Sequence, residues 1–281
     1  MSDKIKTYVN LARMGNVFIA FLSVESAGIL SGVNVFHSLK LFLAALSASL
    51  ITSGGNAIND LFDIEIDKIN RPGRPVPAGK VTKKEVKSFY LATTITGVFV
   101  GGLINLQTLI ISATAAAIIF LYSYRLKGII LLGNISVAAM TGLAFIYGGA
   151  AVQSFKNVYT ASIFAFLSNL IREIIKDAED ASGDQAIGIS TIATRYGRSV
   201  SSVLATILSI VLLGSIFIAY VAGLATIQFF LVSGLTVLPL VIYSIYLLML
   251  RQDFSQASYA YKMIMVFGLI ALLVGSYRVP G

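Results

Sequence analysis

Charge is scarce in this chain of 281 residues: Asp, Glu, Lys and Arg together make up 12%, roughly half the share of an ordinary soluble domain. Cysteine is absent. That excludes disulfides, thiolate nucleophiles and Cys-ligated metals, and leaves the redox compartment unmarked. Histidine occurs once, as His37, in an expected outer loop, so chemistry built on a Ser–His–Asp arrangement is not looked for. Of the five prolines, three fall within RPGRPVP at residues 71–77. The chain also lacks a charged n-region, apolar h-region and small-residue cleavage site at its start, so its first apolar run is expected to be a span.

What is abundant is apolar sequence, with 57% hydrophobic residues and a mean hydropathy of +0.85. A membrane span takes about 20 mostly apolar residues, with a range of roughly 17–25. Nine runs qualify: Asn16–Val35, Leu39–Ile58, Phe89–Leu106, Leu109–Tyr124, Ile129–Phe155, Val158–Ile175, Val200–Ala222, Ile227–Leu250 and Ala257–Tyr277. The fourth is short and the fifth long, which tilt or kinking absorbs. Gly, Ala, Ser and Thr recur in them, as close helix packing in lipid favours. The expectation is an all-α, polytopic membrane protein.

Eighteen of the 21 basic residues fall on one side of such a nine-span chain; only Lys40, Lys156 and Arg278 fall on the other. By the positive-inside rule the N-terminus is cytoplasmic and the C-terminus outside. The net charge of +8 is then explained by topology and attraction to anionic lipid, not by a nucleic-acid partner.

Nine of the 13 acids crowd into two stretches. The first holds Asp60, Asp63, Glu65 and Asp67; the second holds Glu173, Asp177, Glu179, Asp180 and Asp184. Asp60/Asp63/Asp67 and Asp177/Asp180/Asp184 share the spacing i, i+3, i+7, which on a helix puts three carboxylates on one face. The stretches follow the second and sixth runs, on the same expected side, and read as an internal pseudo-repeat. A single Asp at a span end is as readily a solvated cap, but two matching ladders ask for a cation. All-oxygen donors, with amides from Asn56 and Asn59, suit a hard ion such as Mg²⁺ or Mn²⁺ rather than zinc. Mg²⁺ takes one or two carboxylates and completes its octahedron with water and phosphate oxygens. Two ladders would thus carry Mg²⁺ on a diphosphate, with Arg71, Arg74, Lys127 and Arg195 in neighbouring loops gripping the remaining phosphate oxygens.

NDLFDIEID (Asn59–Asp67) resembles the NDxxDxxxD signature of UbiA-type intramembrane prenyltransferases, and KDAEDASGD (Lys176–Asp184) resembles their second, DxxxD signature. INRPGRPVPAGKVT (Ile69–Thr82) is similar to the segment after the first motif, and LYSYRLKG (Leu121–Gly128) to their Tyr/Lys segment. The resemblance spans most of the chain. It implies one domain over residues 1–281, a helical bundle with a central cavity and a cytoplasmic cap, and Mg²⁺ as cofactor. Metal contacts then fall on Asn59, Asp63 and Asp67 with Asp60 adjacent, and on Asp180 and Asp184 with Asp177 adjacent. Asp63, Asp67, Asp180, Asp184 and Lys127 form the implied catalytic set. Arg74 and Lys127 lead the diphosphate contacts, followed by Arg71, Tyr122, Tyr124 and Arg195; either tyrosine equally fits an interfacial anchor. Glu173, one turn before the second ladder where relatives often have Asp, is a metal ligand, a partner of one, or an acceptor contact.

NLARMGN (Asn10–Asn16) carries Arg13–x–x–Asn16, which resembles the archaeal ether-lipid branch of the family; aromatic-acid relatives more often have Pro–x–Gly after the arginine. That branch implies transfer of a geranylgeranyl group to geranylgeranylglyceryl phosphate, with Arg13 and Asn16 at the acceptor. Arg13 also fits a plain positive-inside flank. An aromatic acceptor such as 4-hydroxybenzoate is the alternative. The implied partners are a prenyl diphosphate donor, a lipid-like acceptor and membrane lipids, with no obligatory protein partner. Glu25, isolated in the first run, is either cavity-lining or paired with a neighbouring helix. A cation transporter would need its acids near mid-membrane on broken helices. A Mg²⁺ enzyme using a nucleotide-activated head group would need a DGxxAR element, which is missing. A non-catalytic membrane scaffold would not need a doubled ladder.

Overall fold

A computed structural model describes residues 3–33, 38–186 and 188–276, and among them every regular element is a helix. His37, Arg278 and the expected span ends Val35 and Tyr277 lie outside the described residues. In chain order the helices are α1 (Asp3–Ala12), α2 (Met14–Leu30), α3 (Leu39–Phe62), α4 (Ile64–Asn70), α5 (Lys83–Gly102), α6 (Leu106–Tyr124), α7 (Leu132–Val152), α8 (Val158–Ala186), α9 (Ile192–Tyr196), α10 (Arg198–Val221), α11 (Ile227–Tyr246) and α12 (Phe254–Ser276). The fold is that of a multi-pass, all-α membrane protein. Among the described residues seven helices are long and apolar enough to cross a membrane; α1 and α2, bent by 54° at their junction, make an eighth if taken as one. α5, counted in the expected nine, is not among them. Its first turns carry Lys83, Lys84, Glu85 and Lys87, which dilute its apolar stretch.

Helix boundaries follow local chemistry. The fourth run starts earlier than expected because Asn105 caps α6 and forms a reciprocal box with Thr108, so α6 has 19 residues and is not short. The fifth run is cut to 21 residues by Leu131 and Gln153, both in the left-handed region at φ 65° and 54°, a conformation that does not continue a helix. The sixth runs on to Ala186, so α8 takes the whole second acidic stretch, with Arg172 and Lys176, into a single helix of 29 residues.

The chain divides into two compact units. The first comprises Met1–Gly28, Val33–Leu126 and Tyr147–Ser154. Its centre is the packing of α3 on α5 and α6. A Cβ on Gly97 of α5 would sit 2.7 Å from Ile51 Cγ1 and 3.0 Å from the Ser47 carbonyl oxygen of α3. Only glycine permits that approach, and Ser47 Oγ uses it to donate to the Gly97 carbonyl at 2.6 Å. Tyr147 donates to the same serine at 2.7 Å. The loop of residues 71–82 is anchored rather than loose: Val76 and Val81 are buried with Leu11, Ala57 and Val86. Thr82 then caps α5 with a box completed by Glu85, whose carboxyl the Thr82 backbone N–H holds below the usual range.

The second unit comprises Ile29–Gly32, Lys127–Ile146 and Phe155–Gly281. There α8 packs against α9, α10 and α12, and α11 against α10 and α12. Ser209 and Tyr261, on α10 and α12, share a buried 2.5 Å hydrogen bond. Each unit carries one acidic ladder.

Candidate functional site: two acidic ladders

In the first unit the ladder does not lie on one unbroken helix. α3 ends at Phe62, Asp63 adopts φ −91° and ψ 9°, and α4 begins at Ile64. Asp63 N–H still bonds back to the Asn59 carbonyl at 3.0 Å, and Asp67 N–H to the Asp63 carbonyl at 2.8 Å. The chain thus turns at the middle acid without losing its helical bonding. All three carboxylates are buried, with Asp60 at 1%, Asp63 at 6% and Asp67 at 4% exposure. Buried carboxylates demand compensation, and two arginines from outside the helix provide it. Arg13, at the α1–α2 bend, donates through Nη2 to Asp60. Arg74, on the anchored loop, donates through Nη1 to Asp60 at 3.3 Å and to Asp67 at 2.5 Å.

The bend that presents Arg13 is itself fastened. Arg13 sits at φ 52°, costly for a residue with a Cβ. Asn56 Nδ2 donates to the Ala12 carbonyl at 2.8 Å, and Asn16 Nδ2 donates to Asn56 Oδ1 at 3.3 Å. Asn56, expected as a metal ligand, therefore has its amide committed to holding the bend, and so does Asn16, expected at the acceptor. Arg71 is exposed and lines a cavity of about 480 Å³ together with Asn10, Arg13, Asp60 and Arg74. Tyr122 is half-buried. Tyr124, 62% exposed, stacks on Phe120 at 6.1 Å and meets Phe62 edge-on at 5.8 Å, the placement of an interfacial aromatic.

In the second unit the ladder lies on unbroken α8. Glu173, Asp177, Asp180 and Asp184, at i, i+4, i+7 and i+11, share one face. Asp177 accepts from Asn134 Nδ2 of α7 at 2.8 Å. Asp180 is exposed and Asp184 half-buried, with Lys127 and Lys176 within electrostatic range of Asp184. Glu173 accepts from Arg172 Nη1 at 2.9 Å. Arg195, in the last turn of α9, is exposed.

The donor set fits a hard divalent cation. Asn59 Nδ2 donates to Asp63 at 3.0 Å, while the buried Asn59 Oδ1 has no hydrogen-bond partner among the described residues. A buried amide oxygen left unpaired is costly, and beside a carboxylate it is a natural ligand for Mg²⁺. Among the described residues no three acids converge closely enough to cage an ion by themselves; Mg²⁺, which keeps several waters, does not require that.

The description "UbiA prenyltransferase family" matches the chain over residues 18–270. The chain belongs to this family. A digeranylgeranylglyceryl phosphate synthase from Methanopyrus kandleri is 34% identical over 96% of the chain and 98% of its own length. A structure described as giving insights into the biosynthesis of digeranylgeranylglyceryl phosphate synthase in membranes superimposes with a TM-score of 0.84 at 32% identity, covering 98% of this chain and 99% of that one. A UbiA homolog from Archaeoglobus fulgidus bound to DMAPP and Mg²⁺ shares the fold at a TM-score of 0.70 and 19% identity, over 95% and 99% of the two chains.

Several polar residues of this UbiA-family chain escaped the sequence reading. Asn134 had only one signal, an amide inside an apolar run. Arg172 reads in sequence as a flanking cation; α8 instead carries it within a candidate span, with its Nε buried and unpartnered among the described residues. Glu25, by contrast, was expected either to line a cavity or to pair with a neighbouring helix, and it is half-buried in α2. The Arg13–Asp60 pair, 47 residues apart, had no local signature at all.

Proposed function

We propose that the chain transfers a geranylgeranyl group from geranylgeranyl diphosphate to the free hydroxyl of geranylgeranylglyceryl phosphate, releasing diphosphate, as a digeranylgeranylglyceryl phosphate synthase does. The observation that carries this reading is the likeness to the Methanopyrus kandleri synthase along 96% of the chain. Residues 1–281 act as one catalytic domain; the family match from 18 to 270 supports this. The N-terminus and both acidic motifs face the cytoplasm and the C-terminus lies outside, which the placement of eighteen of 21 basic residues supports.

Mg²⁺, when bound, supplies the positive charge that stabilises the departing diphosphate. Asn59 and Asp63, with Asp67, would hold it in the first unit. Asp180 and Asp184, with Asp177 fixed by Asn134, would hold it in the second. Arg74, Lys127 and Arg195 offer N–H donors to phosphate oxygens, and Tyr122 its hydroxyl. Arg74 is pre-positioned by Asp60 and Asp67, so it loses little freedom when it meets the donor. The apolar helices take the prenyl chain and keep water from the allylic carbon as its bond to oxygen breaks. Glu173, on the ladder face and held by Arg172, would be an acceptor contact.

The test is transfer from labelled geranylgeranyl diphosphate by the full chain in lipid nanodiscs. Transfer to geranylgeranylglyceryl phosphate that stops in EDTA and returns with Mg²⁺ is expected. Prenylation of 4-hydroxybenzoate in its place would reassign the acceptor, and normal turnover in EDTA would remove the metal from the mechanism.

A further inference from the structure

Three arginines seldom share one cavity without an anion, because like charges at close range repel. In the first unit Arg13, Arg71 and Arg74 line the same 480 Å³ cavity, with Asn10 beside them and Asp60 as the one carboxylate in its wall. A guanidinium carries five N–H donors. Among the described residues, Arg13 gives only Nη2, to Asp60, and Arg74 only Nη1, to Asp60 and Asp67. Arg71, though exposed, forms no ion pair with any described residue. The cavity thus presents more donors and more positive charge than its own acid satisfies. Its size exceeds what a bare phosphate needs and falls in the usual range of small-molecule sites, roughly 300–1,000 Å³.

A second observation points the same way. Arg13 is held in a left-handed conformation by the Asn16–Asn56 clamp. Such strain persists where the surrounding structure over-determines it, often at ligand clamps. Asp60, inside α3 and 1% exposed, fixes both Arg13 and Arg74 from below, and Arg74 alone also reaches the ladder at Asp67. A ligand seated between the arginines would therefore lie next to the first ladder.

We propose that the cavity lined by Asn10, Arg13, Arg71 and Arg74 seats a phosphate monoester, the glycerol phosphate end of the acceptor. Asp60 serves it as a positioning residue rather than as a metal ligand. This rests on the reading that the acceptor is geranylgeranylglyceryl phosphate. A phosphate monoester bears between one and two negative charges near neutral pH, which suits three cations that Asp60 and Asp67 only partly neutralise, and pairs of its tetrahedral oxygens suit the planar fork of arginine donors.

Equilibrium binding to the full chain in phosphatidylcholine nanodiscs tests this with no transfer step. Arg71→Ala removes an exposed cation that forms no ion pair among the described residues, so the fold is expected to be kept. It is expected to weaken labelled geranylgeranylglyceryl phosphate by roughly tenfold to a hundredfold, as loss of a hydrogen bond to a charged group does. Arg71→Glu weakens it further. Arg71, which the family resemblance alone put at the diphosphate, is thereby assigned to the acceptor, so binding of geranylgeranyl diphosphate, and of geranylgeranylglycerol without its phosphate, is expected to stay unchanged in both variants. Arg74 borders both ligands, so Arg71 decides: equal weakening of the diphosphate would put Arg71 in the donor site and overturn the proposal. So would unchanged acceptor binding, or displacement of the acceptor by phosphatidylglycerol with the same dependence on Arg71, which would assign the cavity to bulk lipid. If the wild type binds the acceptor in an Arg71-dependent way yet prenylates only another compound, the proposed reaction fails and the headgroup site stands. If Arg71→Ala binds and prenylates the acceptor normally, the reaction stands and the site falls.

Discussion

The two acidic ladders share one spacing and differ in everything that surrounds it. The first is split between α3 and α4 at Asp63, its acids are all buried, and Arg13 and Arg74 are fixed against two of them. The second runs along unbroken α8 with Asp180 exposed and Asp184 half-buried; its firm contact is an amide, Asn134, on Asp177. Spacing on a helix decides which carboxylates are neighbours. It does not decide whether their charge is met by resident cations or left for a bound one. In the first ladder the resident arginines make Asp60 part of the fold. In the second, on the proposed reading, most of the demand is left for Mg²⁺.

The sharpest way to break this comparison is to remove one acid from each. Asp60→Ala leaves two part-buried guanidiniums without their shared partner, and losing one side of a buried ion pair costs about 3–5 kcal/mol. A large fall in the melting temperature is expected, with little folded protein recovered. If instead Asp60→Ala melts like the wild type and loses only its Mg²⁺ dependence, Asp60 is a ligand after all. In the second ladder, Asp180→Ala and Asp184→Ala should lower prenyl transfer by roughly 10²–10³-fold, as loss of one element of transition-state charge stabilisation does. Their melting temperatures should barely move, because surface substitutions usually lie within about 0.5 kcal/mol. Circular dichroism melts and single-turnover transfer on the same preparations separate the two kinds of loss.

What could be read in advance follows from how local each signal is. Apolar runs of span length, the doubled acid spacing and the proline-stiffened loop are all local, and they led to the right fold class and family. Helix ends set by a cap were legible in principle, since Thr82–Glu85 carries the residues of a capping box and Asn105 is a favoured N-cap residue. Leu131 and Gln153 gave no warning, because neither is a residue that favours a left-handed backbone. The same holds for the bend at Arg13: NLARMGN has no proline, its glycine lies two residues on, and the turn is fixed by Asn56, more than forty residues away. Likewise the break at Asp63 leaves the i, i+3, i+7 pattern intact in sequence while dividing the helix. The partners of the ladders, Arg13 and Asn134, come from elsewhere in the chain, and pairing over such distances leaves no periodic trace.

Asn134 offers a sharper measure of the second ladder. Its amide is the fixed contact of Asp177, which lies one turn before Asp180 on the α8 face. Groups that orient a metal ligand typically matter by about 10–100-fold in affinity or activity. Asn134→Ala is therefore expected to raise the Mg²⁺ concentration for half-maximal transfer by about that factor, and saturating Mg²⁺ should recover most of the rate. A loss that Mg²⁺ cannot repair would place Asn134 at the substrates instead of behind the metal.

The smallest expected effect tests whether spacing, rather than acidity, marks the site. Each cluster contains one glutamate off the ladder positions, Glu65 in the first and Glu179 in the second. Glu65 is 81% exposed and accepts from Lys68 at 2.9 Å, an i, i+3 surface pair. Exposed pairs of this kind contribute about 0–1 kcal/mol, since solvent screens them and both side chains lose freedom. Glu179 is exposed and stands off the face shared by Asp177, Asp180 and Asp184. Glu65→Gln and Glu179→Gln remove the charge and keep the shape. Both should retain wild-type transfer within about twofold and wild-type stability within about 0.5 kcal/mol. If either abolished transfer, the distinction between ladder and bystander acids would fail, and general negative charge at the membrane surface would be the better account of both clusters.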